Sequence, residues 1–242
     1  MMLGLSIIAG LAVVLLANAR SSRQQSVRVA LEAQRFADLL GRLNGHFRRA
    51  ELTVDWQKVD AAGDITETGL LVRQFALEAQ GEEPLPVERV VIPGSAVRID
   101  ALLLTFTGAV IPDFSVARDT RLILFGHVYG NGESRSDYFS FMARDQVPAA
   151  ARVHGDRTTH GETLFWNYAW EFIRGADQQG QPPKSAVQVT WLPAASRVLR
   201  RGLLYTAIAS ADGVTISESD DRRILNDIRT SIEQQDSAPR PN

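Results

Sequence analysis

Apolar residues are distributed along this chain in three successive patterns, and each predicts a different kind of element. The first pattern is unbroken: residues 1–19, MMLGLSIIAGLAVVLLANA, hold no charged side chain, and Arg20 and Arg23 follow at once. As a helix, this stretch would reach about 28 Å, close to the roughly 30 Å hydrocarbon core of a bilayer. It is expected to be a single transmembrane anchor. Ser6 and Gly10, four residues apart, are small enough to let a neighbouring helix approach closely. A cleaved secretory signal is the competing reading, because Ala17-Asn18-Ala19 fits the small-x-small rule, although no Lys or Arg precedes the apolar run.

The second pattern is helical. Val29, Ala33, Phe36, Leu40, Leu43, Phe47 and Ala50 recur at alternating intervals of four and three, which places one apolar stripe along a helix. This predicts an amphipathic stem over residues 20–50. A coiled coil is the weaker reading of it: Ala30, Ala37 and Asn44 lack the charges that select a partner helix, and Gly41 and Gly45 each cost about 1 kcal/mol relative to Ala. The face formed by Val29, Ala33, Phe36, Leu40, Leu43 and Phe47 is expected to bind a partner subunit.

From Glu51 the period changes to two. Leu52, Val54 and Trp56 alternate with polar residues, Ala61 to Asp64 form a turn, and Leu71, Phe75 and Leu77 continue a hairpin. Gly81 to Pro84 reads as a loop. Strands are expected over residues 87–92, 96–107, 120–129, 138–142, 186–192, 198–210 and 214–216. Residues 145–161 have no period and read as a long loop. Phe165, Ala169, Phe172 and Ile173, with Trp166 and Trp170 beside them, predict a buried aromatic helix over 162–176. Residues 178–184 read as a linker. Ser217 and Asp220 approximate a capping box ahead of a helix that carries Ile224, Leu225, Ile228 and Ile232 on one face. The fold class expected is therefore α+β: an anchor (1–19), a stem (20–50), one mainly antiparallel β domain with an aromatic helix and a C-terminal helix (51–235), and a disordered tail (236–242).

Charge sharpens this picture. The formal net charge is −2, but residues 1–50 carry seven arginines against Glu32 and Asp38, net +5, which leaves 19 basic and 26 acidic residues beyond them, net −7. The arginine excess after the apolar run favours a cytoplasmic soluble part, although short N-terminal anchors also deliver their C-terminal domains to the periplasm. An acidic domain argues against nucleic acid as the partner, since affinity there comes largely from neutralising phosphates. The stem arginines suit the lipid bilayer surface. There is no cysteine, which excludes disulfides and thiolate metal sites. Lys58 and Lys184 are the only lysines among 26 basic residues, a habit of GC-rich bacterial genomes.

Candidate chemistry is sparse. His154, Asp156, His160 and Glu162 are a metal-ligand set in kind but match no ligand spacing, and a polar loop entering the aromatic helix accounts for them. Gly126, Gly130 and Gly132 follow a strand as a phosphate loop would, but no helix opens behind them. Ser95 is not in a nucleophile elbow and reads as a turn residue. His127 lies within an apolar strand and reads as a core histidine. Trp166 and Trp170 could stack a ligand but read more simply as core, and Arg197, Arg200 and Arg201 as a solvated strand end. No catalytic, cofactor or metal residue is assigned. The function expected is that of a non-enzymatic, single-pass accessory or scaffold subunit of a bacterial membrane complex in the inner membrane; the alternative is a membrane-anchored ligand-binding or sensory envelope protein that uses its β domain for recognition.

Overall fold

The computed structural model describes residues 47–78, 81–106, 121–130, 139–142, 146–151, 160–179 and 187–237. The apolar run 1–19, with Ser6 and Gly10, and the stem positions Val29, Ala33, Phe36, Leu40 and Leu43 lie outside them. Among the described residues, no helix is long and apolar enough to cross a membrane.

Among the described residues, ten strands form two mainly antiparallel sheets. The six-stranded sheet contains β1 (Phe47–Val59), β2 (Ile65–Glu78), β3 (Gly81–Pro84), β4 (Glu88–Pro93), β9 (Leu204–Ser210) and β10 (Gly213–Ser219) in the order β10-β9-β1-β2, with β3 and β4 sharing the far edge of the long β2. The four-stranded sheet contains β5 (Ala96–Phe106), β6 (Arg121–Gly130), β7 (Phe139–Ser140) and β8 (Val187–Val198) in the order β7-β6-β5-β8.

Alternation explains why the sheets face each other. Ala50, Leu52 and Val54 of β1 and Leu70 and Val72 of β2 meet Val97, Ile99 and Ala101 of β5 and Ile123 and Phe125 of β6 in one buried cluster. The opposite face of the smaller sheet, carrying Leu102, Leu104, Phe106, Leu122 and Leu124, is covered by helix α1 (His160–Gln179) through Phe165, Trp166, Ala169, Trp170 and Ile173. The opposite face of the larger sheet, carrying Leu71 and Leu204, is covered by helix α2 (Arg222–Ser237) through Ile228 and Ile232. The layers thus run α1, small sheet, large sheet, α2. Each large apolar side chain so buried contributes roughly 1.5–3 kcal/mol.

Several boundaries differ from the sequence expectation. Strand β1 starts at Phe47, so Phe47 to Ala50 belong to the sheet and not to a helical stem. The interval of three from Phe47 to Ala50 continues the helical stripe locally, but pairing with β9 from Phe47↔Ser210 onward decides for the strand. Gly81 to Pro84 is a strand, held by β2 from Phe75 to Glu78. Pro193 does not separate two strands: β8 runs through it, because the ladder to β5 skips between Leu192 and Ala195 and asks no N–H of a proline there. Helix α1 starts at His160 and extends to Gln179, taking the end of the expected loop and the start of the expected linker, and Ala149 to Ala151 form a 3-10 turn within that loop. The cap of α2 is Asp221, whose Oδ1 accepts the N–H groups of Arg223 and Ile224 at 3.0 and 3.3 Å, whereas the Ser217 hydroxyl donates to Thr206 O across the β9–β10 pair. Asp236 and Ser237 are helical, contrary to the expected tail, and residues 238–242 lie outside the described residues.

Candidate functional site

The most concentrated polar chemistry in the described structure lies on the α1 side of the small sheet, beyond the end of that helix's apolar footprint. Its centre is Asp100, a fully buried carboxylate in the middle of β5. Ile99 pairs with Val128 of β6 and Ala195 of β8, while Ala101 pairs with Phe125 and Leu192. Both neighbouring strands therefore carry one extra residue opposite Asp100. Such paired bulges bend the flanking strands around one position and re-aim their side chains toward it.

His127 on β6 is brought onto the carboxylate in this way. Asp100 Oδ1 accepts the His127 backbone N–H at 2.8 Å and lies 3.0 Å from the ring Nδ1, with Oδ2 at 3.2 Å. Against a carboxylate, Nδ1 is the ring atom that carries hydrogen, which fixes the tautomer and the orientation of the imidazole. Trp191 of β8 stacks on that ring, centroids 5.0 Å apart and planes at 29°. Gly126 is what allows the approach: a Cβ there would stand 2.5 Å from Asp100 Oδ1 and 2.6 Å from Trp191 Cζ3. On the same face and further along the strands, the Arg98 guanidinium lies 5.2 Å from the Tyr129 ring centroid. An imidazole held by a buried carboxylate can position a proton or a ligand at its other nitrogen, and it can equally serve as a satisfied polar pair in a core. Among the described residues, no group of three or more His, Asp or Glu side chains is placed to hold a metal.

The sequence candidates fall in different places. His127 is buried, as expected of a core histidine, but its partner Asp100 is one that sequence reading missed. The only signal was a lone acid inside the apolar run VRIDALLLTF. Trp166 and Trp170 are core residues; the Trp170 Nε1–H donates to Gln146 O at 2.8 Å. Glu162, in the first turn of α1, is buried, while His154 and Asp156 lie outside the described residues. Gly126 lies within β6 and Gly130 is its last residue, while Gly132 is outside the described residues. Ser95 occupies the β4–β5 turn and its carbonyl accepts the Leu199 N–H. Arg197 pairs with Glu218 at 3.4 Å on the surface, and Arg200 and Arg201 are exposed beyond the end of β8.

Sequence reading also missed Arg48. It is buried between the sheets, where its Nε–H donates to Ile123 O at 2.9 Å; burial lowers its pKa to about 10, with Glu82 acting in the opposite sense. Counted as part of a helix, it could not be seen as an inward position of a strand. The chain matches no protein-family model, and no curated protein or solved structure is recognisably similar to it.

Proposed function

We propose that the chain is a non-enzymatic, single-pass membrane-anchored accessory or scaffold subunit of a bacterial membrane complex. Residues 1–19 form the anchor, and the stem face of Val29, Ala33, Phe36, Leu40 and Leu43 docks a partner subunit. The observation that supports this reading is how the stem joins the domain. Its next residues are β1, an interior strand of the larger sheet, paired with β9 on one side and β2 on the other. Tension or displacement arriving along the stem then meets two ladders of hydrogen bonds in shear, a rigid attachment for a subunit that holds others in place.

The stem stripe adds a physical demand. Burying Phe36, Leu40 and Leu43 is worth roughly 1.5–3 kcal/mol apiece, so a surface that covers them is expected. The test is purification of the tagged protein from its own host in mild detergent, with identification of the proteins that accompany it. Phe36→Asp with Leu43→Asp should abolish that company while the thermal transition of the β domain stays where it was. Retention of the partners by this double mutant, or loss of the domain's transition, would defeat the reading.

A further inference from the structure

A second aromatic feature lies on the α2 side of the larger sheet. Along β1, Ala50, Leu52 and Val54 face the core, and the same alternation would send Trp56 inward. It does not go there. Val54 pairs with Leu70 and Trp56 with Gly69, so Asp55 is an extra residue, and this bulge turns Trp56 to the outer face.

Trp56 crosses to the neighbouring strand. A Cβ built on Gly69 would stand 2.3, 2.4 and 2.7 Å from the indole Nε1, Cε2 and Cδ1, and three near-equal distances to consecutive ring atoms mean that the ring lies flat over the glycine. One face of the indole is closed by the sheet, and the residue as a whole is 38 % exposed. Gly69 pairs with Val91 of β4, itself 59 % exposed, so Trp56, Gly69 and Val91 form one row across three strands.

Charged pairs border this row on both sides. Two residues along the strands, Lys58 Nζ lies 3.3 Å from Glu67 Oε1. On the other side Arg89 holds Asp236 through two hydrogen bonds of 2.8 and 2.5 Å, and Asp55 adds its field to Arg89.

We propose that this surface is a glycan-binding platform, on which the C–H face of a neutral pyranose ring stacks on Trp56 while hydroxyls of that ring and of its neighbours along the glycan bond to Lys58 and Glu67 on one side and to Arg89 and Asp236 on the other. Charge selects this occupant. Glu67 and Asp236 are paired with Lys58 and Arg89, and Asp55 leaves the rim one negative charge in excess, so it offers no basic patch for anionic lipid headgroups or nucleic-acid phosphates. One indole and one valine are a small apolar area beside the roughly 800 Å² that each partner of a stable protein complex buries. A sugar hydroxyl both donates and accepts, and so fits a rim that offers ammonium and guanidinium donors next to carboxylate acceptors. The flat ring over a glycine is held before any ligand arrives, which lowers the ordering cost of binding. This platform is made of described residues of the β domain, and it does not rest on the docking role proposed for the stem.

The test uses the full-length chain in lauryldimethylamine oxide, a detergent without a sugar headgroup that would compete. Calorimetric titration employs hexamers of β-1,4-linked glucose, β-1,4-linked N-acetylglucosamine, β-1,4-linked mannose and α-1,4-linked glucose. At least one hexamer should bind, and Trp56→Ala should weaken it about tenfold with the thermal midpoint retained. Should Trp56→Ala fail to fold, Lys58→Ala with Glu67→Ala, both on the surface, decides in its place and should weaken binding about threefold. Absence of binding by all four hexamers overturns the proposal, as does binding that the folded variants leave unchanged. Trp56-dependent sedimentation with phosphatidylglycerol vesicles in place of glycan binding also overturns it and identifies a membrane contact.

Discussion

Asp100 and His127 are joined twice, since one carboxylate oxygen accepts both the backbone N–H of the histidine, at 2.8 Å, and lies 3.0 Å from its ring Nδ1. The first bond replaces a ladder bond that the bulge interrupts, and the second orients the ring beneath Trp191. Removing the carboxylate therefore leaves two buried donors without their acceptor. Asp100→Ala should cost about 2–4 kcal/mol, whereas Asp100→Asn, whose remaining oxygen can still accept at that position, should cost about 1–1.5 kcal/mol. Urea unfolding of the two variants beside the parent measures the difference, and equal losses would show that the oxygen facing both donors is not what matters.

The glycines of the two sheets make a graded series. A Cβ on Gly130 would stand 2.3 Å from the backbone oxygen of Pro93, which can move only with its strand, while a Cβ on Gly126 meets two side chains. Gly63 has open space around it and a φ of 93° in the β1–β2 turn. Gly130→Ala should therefore cost the most, about 3 kcal/mol, Gly126→Ala about 2 kcal/mol through overpacking, and Gly63→Ala about 1 kcal/mol through backbone strain alone. Thermal midpoints in that order support the close approaches; a cost at Gly63 as large as at Gly130 would not.

What the sequence made legible follows from how far apart the deciding partners lie. The β1–β2 hairpin, the strand from Ala96 and the apolar face of the C-terminal helix were readable because local period alone specifies them. Gly81 to Pro84 was not, since a strand with Gly and Pro at its ends exists only by virtue of its pairing with Phe75 to Glu78. Arg48 was hidden by the same ambiguity that placed Phe47 in the stem. Asp100 and His127 are 27 residues apart, and Trp191 lies a further 64 residues on; nothing in spacing announces that β6 and β8 both bulge toward β5. Local alternation places Trp56 on the same face as Leu52 and Val54, and one inserted residue, Asp55, reverses it.

Arg73 fastens α2 to the larger sheet. Its guanidinium lies 2.8 Å from Glu51, on the adjacent strand, and also hydrogen-bonds Asp227 of the helix. Burial alone would lower its pKa, but the bonds to Asp227 and Glu51 outweigh burial and raise it. Glu51 is as buried as Arg73, while the Asp227 side chain is 64 % exposed. Arg73→Ala should thus cost about 3–5 kcal/mol by stranding the Glu51 charge, and Asp227→Asn less than about 1 kcal/mol. Arg73→Met with Glu51→Met should recover most of the loss, which chemical denaturation of the single and double variants would show.

Glu88 offers a pH signature. Desolvation raises its carboxyl pKa above the usual 4.5, so the folded state holds this proton more tightly than the unfolded one. The stabilisation from that bound proton is complete below the unfolded value and is lost as pH rises through the raised folded value. At pH 7 the charged carboxylate is a net cost, and Glu88→Gln should stabilise the protein by up to about 0.5 kcal/mol there and by nothing measurable near pH 3. Unfolding of both forms at the two pH values measures it; a gain that is the same at both would assign the effect to packing.

The last prediction separates the domain from what precedes it. All pairing partners of β1 along β2 and β9 are met from Phe47 onward, and the buried side chains of its inner face, Ala50, Leu52 and Val54, pack on residues 70–214. Nothing in these contacts requires residues 1–46. A fragment of residues 47–242 should therefore fold by itself, with a thermal midpoint within about 2–4 °C of the full chain, the shift that about 1 kcal/mol produces in a domain of this size. The same fragment should leave behind the proteins that accompany the full chain, because the stem face of Phe36, Leu40 and Leu43 is gone. Folding without company assigns docking to the stem. A fragment that stays unfolded assigns the stem to the domain's own core, and a folded fragment that keeps its partners moves the contact surface onto the β sheets.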